Sequence, residues 1–415
     1  MKRFNYNGND VEIYSDIQMP VTTYIDYNRF LLIDSGIGAD IESPDAHVGK
    51  IAYHISKGEK DVFEGQYVLW GGEHSLFTRK LQAMLNYLGV SYAFKLKSEA
   101  SQAAVEARLG THFIPGLETP EGWFLHDTTP IGLMLNHQYP DRPLLPKTPV
   151  QKIAAHLLED WADEWFGRYA INSRWCYPDN VAAIAEGFYA NRIGRFQGEG
   201  LSPDEQQAAA VLIQTIRDNF GLRACGNRGC GPDQSAQVRA DFDILMQYAA
   251  AHFSEQPYLL GDCASLGDFT FAGLFKAHIA SDPEPRSWIE ASAPSLLPRM
   301  TQIFEAESSG GGYGPGDVLP ETLTPFFHHM RDTHHEFLKT SRLALAEGEK
   351  WCALDLGDGP VPMRALKYCE VSRRHIRTEI LGLSNSDRAA VENVLGPLGV
   401  LDAYLLPPLS AEPAA

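Results

Sequence analysis

LWGGEHSLFTRKLQAMLNYLG, residues 69–89, passes from an apolar pair through a polar turn into an amphipathic helix. Phe77, Leu81, Met84, Leu85 and Leu88 share one helical face, and Gly89 stands where a helix-ending glycine belongs. Upstream, YVLW (67–70) has the make-up of a strand. Downstream, Val90, Tyr92, Phe94 and Leu96 alternate with Ser91, Ala93, Lys95 and Lys97, the period of a half-buried strand. The Ala-rich SEASQAAVEARLG (98–110) predicts a second helix. GLETP (116–120) and WFLH (123–126) then bracket a turn at Glu121–Gly122, and Asp127 or Thr128 caps a third helix in TPIGLMLNHQY (129–139). The predicted order over residues 66–146 is β-α-β-α-β-β-α.

Residues 147–310 carry helix patterns throughout. Thr148-Pro149 opens one long helix, and Ser202, Pro203 and Glu205 open another, with an anionic side chain suited to the helix dipole. ESSGGGYGPGDVLPETLTP (307–325) breaks the pattern. The remainder, 320–415, predicts an α+β extension: Trp351, Ala353 and Asp355 alternate with Cys352, Leu354 and Leu356 before a GDG turn and a further helix. Residues 1–65 are strand-rich, with candidates VEIY (11–14), FLLID (30–34) and IAYHI (51–55), and carry no interpretable motif.

Acidic residues exceed basic ones, 53 to 35, for a net charge of −18. Such a surface repels nucleic acid and anionic lipid. The basic residues Arg364, Lys367, Arg373, Arg374 and Arg377 are read as a solvated helix face. No apolar window is long enough to span a membrane, and MKRFNYNGNDVEIYSD lacks a secretion signal, so the expected setting is cytoplasmic, with neither nucleic acid nor membrane as partner.

The six cysteines do not resemble a disulfide framework. Cys225 and Cys230, in ACGNRGCG, read as loop thiols without a second ligand pair for a metal. His328, His329, His334 and His335 read as one polar helix, and 328 and 335, about 10 Å apart along its axis, make a poor metal pair. No metal is expected.

In order and spacing these segments resemble the cytosolic-type glutathione transferase family. HSLFTRKLQAML (74–85) resembles its active-site turn and first helix. FIPGL (113–117) is similar to a segment whose proline is cis, WFLHDTTPIGLML (123–135) to the opening of the third helix, and YLLGDCASLGDFTFAGLF (258–275) to a conserved capping-box segment of the helical domain. The resemblance covers residues 66–305. It implies an α/β thioredoxin-like domain followed by an all-α helical bundle domain, with small α+β additions at both ends.

The resemblance also implies glutathione as cosubstrate, a small-molecule electrophile as its partner in the reaction, and a homodimer. Glutathione reacts as its thiolate, while a free thiol is mostly protonated at neutral pH. A hydroxyl at a helix N-terminus can hold that thiolate in a favourable dipole. Ser75 takes this place in one alignment of the turn and His74 in the other; a purely structural turn, with Ser75 as helix cap, stays open. Ile114 and Pro115 would offer backbone to the cysteinyl part, as an added strand does. Asp127 and Thr128 would grip the γ-glutamyl end at a helix N-terminus, or merely cap that helix. Ser265 to Asp268 form a structural capping box, and Trp161, Trp165 and Tyr169 belong either to the core or to the electrophile's wall. The competing functions are a non-catalytic binding or scaffolding protein and, less favoured, a thiol-disulfide reductase, against which a serine at residue 75 argues because a hydroxyl cannot form a mixed disulfide.

Overall fold

A computed structural model describes residues 66–409 apart from 121, 309–311 and 358; within residues 1–65 it describes the backbone of five strands. These are β1 (Lys2–Tyr6), β2 (Asn9–Ile13), β3 (Val21–Asp26), β4 (Arg29–Asp34) and β5 (Lys50–Ile51). FLLID therefore lies on β4 and Val11–Ile13 of VEIY on β2, while 52–55 of the third candidate lie outside the described residues.

The next elements follow the predicted order: β6 (Tyr67–Gly71), α1 (Leu76–Leu88), β7 (Tyr92–Leu96), α2 (Gln102–Leu109), β8 (Gly116–Glu118), β9 (Phe124–His126) and α3 (Thr128–Gln138). Gly89 ends α1 with φ 65°, and its amide reaches the carbonyls of Leu85 and Asn86. At the β8–β9 turn Gly122 has φ 84°; Glu121 lies outside the described residues. β6 pairs parallel with β7 and antiparallel with β8, which pairs antiparallel with β9. Beyond β9 the sheet continues through β5, β3 and β4, so it has seven strands in the order β4-β3-β5-β9-β8-β6-β7. The N-terminal strands thus occupy what would be an open edge, a template for unwanted pairing.

The helical region contains α4 (Pro149–Trp165), α5 (Gly167–Trp175), α6 (Pro178–Ala183), α7 (Ala185–Arg192), α8 (Pro203–Ile216), α9 (Leu222–Asn227), α10 (Ser235–Glu255), α11 (Leu266–Leu274), α12 (Pro283–Ser292) and α13 (Leu296–Glu305), with π-helical turns at Arg217–Gly221 and Phe275–Ile279. Ser202 and Glu205 form the expected capping box at α8. At α11 the Asp268 carboxylate accepts from the Ser265 amide and hydroxyl, each at 2.8 Å, and from the Leu259 amide. α11 carries the helical domain onto α1: a Cβ on Gly273 would lie 2.6 Å from the Lys80 nitrogen, so only glycine permits this approach. Trp161, Trp165 and Tyr169 are all within 1% of full burial and belong to the core rather than to an open wall.

The C-terminal part comprises α14 (Thr324–Asp332), α15 (His334–Ala346), the hairpin β10 (Trp351–Asp355) and β11 (Pro360–Arg364), α16 (Lys367–Leu381), α17 (Asn385–Leu395) and α18 (Asp402–Leu405). Two expectations fail here. The histidine run is two helices broken at Thr333, and His334 and His335 are fully buried, His334 donating to Asp160 at 3.0 Å. Arg373 is fully buried rather than solvated: it pairs with Glu370 at 2.7 Å and donates to the carbonyls of Ala403, Tyr404 and Leu406. Arg373 is fully partnered, while His334 Nδ1 and both ring nitrogens of His335 are buried without a hydrogen-bond partner among the described residues; periodicity cannot distinguish such core polar groups from a wet face.

Candidate functional site

Strand register builds one corner of the molecule. Trp70 pairs with Gly116, and Gly116 with His126. The chain leaving β6 at Gly71, entering β8 through Pro115 and leaving β9 at Asp127 therefore meets at the same end of three adjacent strands. Ser75, Ile114, Pro115, Asp127 and Thr128 all come from these three connections.

Ser75 is the N-cap of α1, half-buried, and its Oγ accepts from the Thr78 amide at 3.2 Å. That bond uses a lone pair and leaves the hydroxyl proton for an outside acceptor. The Ile114–Pro115 bond is cis, and the Ile114 side chain lies beside Gly72. Among the described residues no hydrogen bond engages the Ile114 amide or carbonyl.

Asp127 caps α3 with φ 77° and ψ 115°, a conformation that a non-glycine residue rarely adopts. One carboxylate oxygen accepts from the Thr129 amide at 3.3 Å and the other from the Tyr368 hydroxyl at 2.9 Å. Burial pushes this carboxyl up to about 6, against the pull of Tyr368 and Lys80. Thr128, the first residue of α3, is buried.

His74 takes a different direction. Its ring stacks on Phe188 with centroids 4.3 Å apart and lies against Gly187, while its carbonyl accepts from Arg174. Burial, with Arg174 nearby, holds the imidazole down at about 3, so it is neutral at physiological pH. The neighbouring Glu73 is clasped by Arg79, the Asn191 side chain and the Gln197 amide. α7 and the loop after it thus hold the turn in a fixed shape.

Beneath the corner lies a buried charge cluster. Lys80, fully buried, contacts Glu159 at 2.6 Å and Asp163 at 2.5 Å; the Thr129 hydroxyl donates to Glu159 and the Thr270 hydroxyl to Asp163. Burial pushes Glu159 up to about 7, opposed by Lys80, whereas the two carboxylates raise Lys80 in spite of its burial. Lys80 joins α1, α3, α4 and α11 in one polar core.

Sequence reasoning missed Tyr368 as a member of the corner. It stands 241 residues from Asp127, and a helical tyrosine gives no local signal of such a contact.

Residues 69–143 match the family described as "Glutathione S-transferase, N-terminal domain". That stretch is thus similar to a glutathione transferase N-terminal domain, and a helical region follows it. The corner lies where the sheet meets α1. Similar solved structures include a Tau class glutathione S-transferase from mango, Mangifera indica (14% identity, 62% of this chain and 94% of that one, TM-score 0.36). Others are a glutathione S-transferase of Ceriporiopsis subvermispora in complex with glutathione (15%, 58% and 98%, 0.38) and one from Methylobacterium radiotolerans in complex with glutathione sulfonate (17%, 62% and 99%, 0.31). No curated protein matches the chain. No helix among the described residues is long and apolar enough to cross a membrane.

Proposed function

We propose that the corner binds glutathione and that the protein is a glutathione transferase, activating the thiolate for attack on a small electrophile. The observation that carries this reading is the convergence of the Ser75 hydroxyl, the unengaged backbone of Ile114 and the strained, charged cap Asp127 at one end of adjacent strands. The tripeptide lies along Ile114 as an extra strand would, with its γ-glutamyl carboxylate at the N-terminus of α3 and its ammonium on Asp127. Ser75 donates to the sulfur, which the N-terminus of α1 also favours. His74, neutral and packed on Phe188, is the weaker candidate for that role. Residues 66–146 supply the tripeptide site and 147–310 the electrophile's side; cytoplasmic residence and a homodimer belong to the same reading.

The non-catalytic alternative has an observation of its own: Tyr368, from the C-terminal helices, already occupies one oxygen of Asp127. Calorimetric titration with glutathione, alongside conjugation of a generic aryl halide, separates the two. The transferase reading expects binding at or below millimolar glutathione. It also expects Ser75→Ala to keep that binding while losing about a hundredfold in turnover, the usual effect of removing one donor to a developing anion. Absence of binding at millimolar glutathione ends the reading; binding without turnover in either protein leaves the scaffold.

A further inference from the structure

The hairpin of β10 and β11 has two unlike edges. Its register sets Trp351 opposite Arg364, Ala353 opposite Pro362 and Asp355 opposite Pro360. The Ala365 amide donates to the Lys350 carbonyl at 3.0 Å, so 350 and 365 are a hydrogen-bonded pair, and by alternation so are 352 with 363 and 354 with 361. The backbone groups of Trp351, Ala353 and Asp355 therefore point away from β11, and those of Pro360, Pro362 and Arg364 away from β10. Two of the three outward residues on β11 are proline and offer no N–H to a further strand, which closes that edge. On β10 all three keep their amides, and among the described residues no hydrogen bond engages these amides or their carbonyls.

The side chains divide with the same period. Cys352, Leu354, Val361 and Met363 turn toward the body, Val361 and Met363 lying against Gly229. Trp351, 48% exposed, shares the outer face with Ala353, Asp355 and Arg364. Arg364 stands at the Trp351 end of this face and Asp355 at the other. Among the described residues no ion pair engages Arg364, and Asp355 uses only Oδ1, which accepts from the Gly357 and Gly359 amides.

Three outward residues centred on Ala353 make an edge complementary to itself. Laid antiparallel against a second copy about a two-fold axis at Ala353, β10 sets Ala353 opposite Ala353 and Trp351 opposite Asp355. Each of the three pairs exchanges both of its bonds, so every outward amide meets a carbonyl. A slip of one residue would set outward groups against inward ones. Arg364, beside Trp351 on the same face, then lies across the indole from Asp355 of the second copy, and the basic end of each hairpin meets the acidic end of the other. A second copy also brings a strand already formed, whereas a loose peptide would first have to be ordered.

We propose that the β10 edge is an interface between two copies of this chain, joined antiparallel about Ala353 into a four-stranded sheet with β11 on each outside. The proline-bearing β11 strands stop further growth, so the product is a closed pair, and an edge of five residues makes the association a weak one.

Sedimentation equilibrium of the full-length chain from about 10 µM to about 1 mM covers the affinity of so small an interface. Ala353→Pro removes one outward amide per copy and no bond of the hairpin, as Pro362 does on the facing strand. The wild-type chain should assemble to twice the mass of this variant, whose dissociation constant should rise about thirtyfold for two lost hydrogen bonds. Ala353→Cys keeps the amide and should oxidise to a disulfide between copies, located by peptide mass at residue 353, because facing residues of such a pair have Cα atoms about 5.5 Å apart. Equal association of the wild type and the proline variant overturns the proposal. So does a wild-type chain that stays monomeric throughout, which would leave the edge to a strand from another protein. Should the proline variant fail to fold, the disulfide decides: oxidation of the Ala353→Cys protein without a link between the two residues 353 overturns the proposal as well.

Discussion

Asp127 holds a backbone conformation that costs on the order of 1–3 kcal/mol and persists only because its surroundings impose it. Its side chain caps α3, and its second oxygen is fixed by Tyr368, a residue 42% exposed on α16. Hydrogen-bond donation from Tyr368 favours the charged carboxylate, as does Lys80, whereas burial and Asp163 oppose it, and the balance stands at about 6. Removing the phenol in Tyr368→Phe therefore moves the carboxyl further up. At pH 8 Asp127 is ionised in both proteins and glutathione affinity should match. As pH falls the variant should lose affinity earlier, so its binding curve between pH 5 and 8, followed by calorimetry, is displaced to higher pH. Superimposable curves would remove Tyr368 from the site and leave it a surface contact. The Ser75 hydroxyl, by contrast, should act on turnover rather than on affinity, because its cap bond to Thr78 engages only its acceptor side.

α4 shows what local sequence can and cannot tell about an element. Thr148-Pro149 marks its start correctly, yet Thr148 makes no capping bond to the helix. The carboxylate of Asp317, in the Gly-rich break, accepts instead from the Val150 and Gln151 amides at 3.0 and 2.9 Å. Asp317→Ala should cost about 1 kcal/mol, the usual loss for a capping side chain, and appear as a lower urea midpoint with an unchanged slope. Helix starts, the face of α1, the β-α-β-α-β-β-α order and the capping box at Ser265 were legible because each is written in neighbours a few residues apart. That Ser75, Ile114 and Asp127 lie in the connections flanking β6, β8 and β9 follows from the same short-range motifs. Lys80, Arg373, His334 and Tyr368 were not: their partners lie in other elements, and a buried charge with its partner has the same local pattern as a wet one.

Across the whole molecule, burial sets the response to acid. Among the described residues it lowers six histidines, His74 to about 3, His156 and His252 to about 4, and His278, His335 and His375 well below their ordinary value. It raises three carboxyls, Asp127 and Asp268 to about 6 and Glu159 to about 7. A depressed histidine contributes stability that is fully present above its unfolded value, about 6.5, and is lost as pH falls toward the folded value. A raised carboxyl works the other way, contributing below its unfolded value, about 4, and losing that contribution as pH rises through 6 to 7. Near pH 5 the unfolded chain holds about six histidine protons that the folded one excludes, and lacks about three carboxyl protons that the folded one keeps. The unfolded state therefore takes up more protons, and stability should fall between pH 7 and 5. Charge acts in the opposite sense, since the net −18 diminishes toward the isoelectric point near 5.2 and relieves self-repulsion. Thermal melts at constant ionic strength decide between them: the histidines require the midpoint to drop on going from pH 7 to 5. A midpoint that climbs over that interval would mean that the acidic surface, rather than the buried imidazoles, governs the stability of this fold.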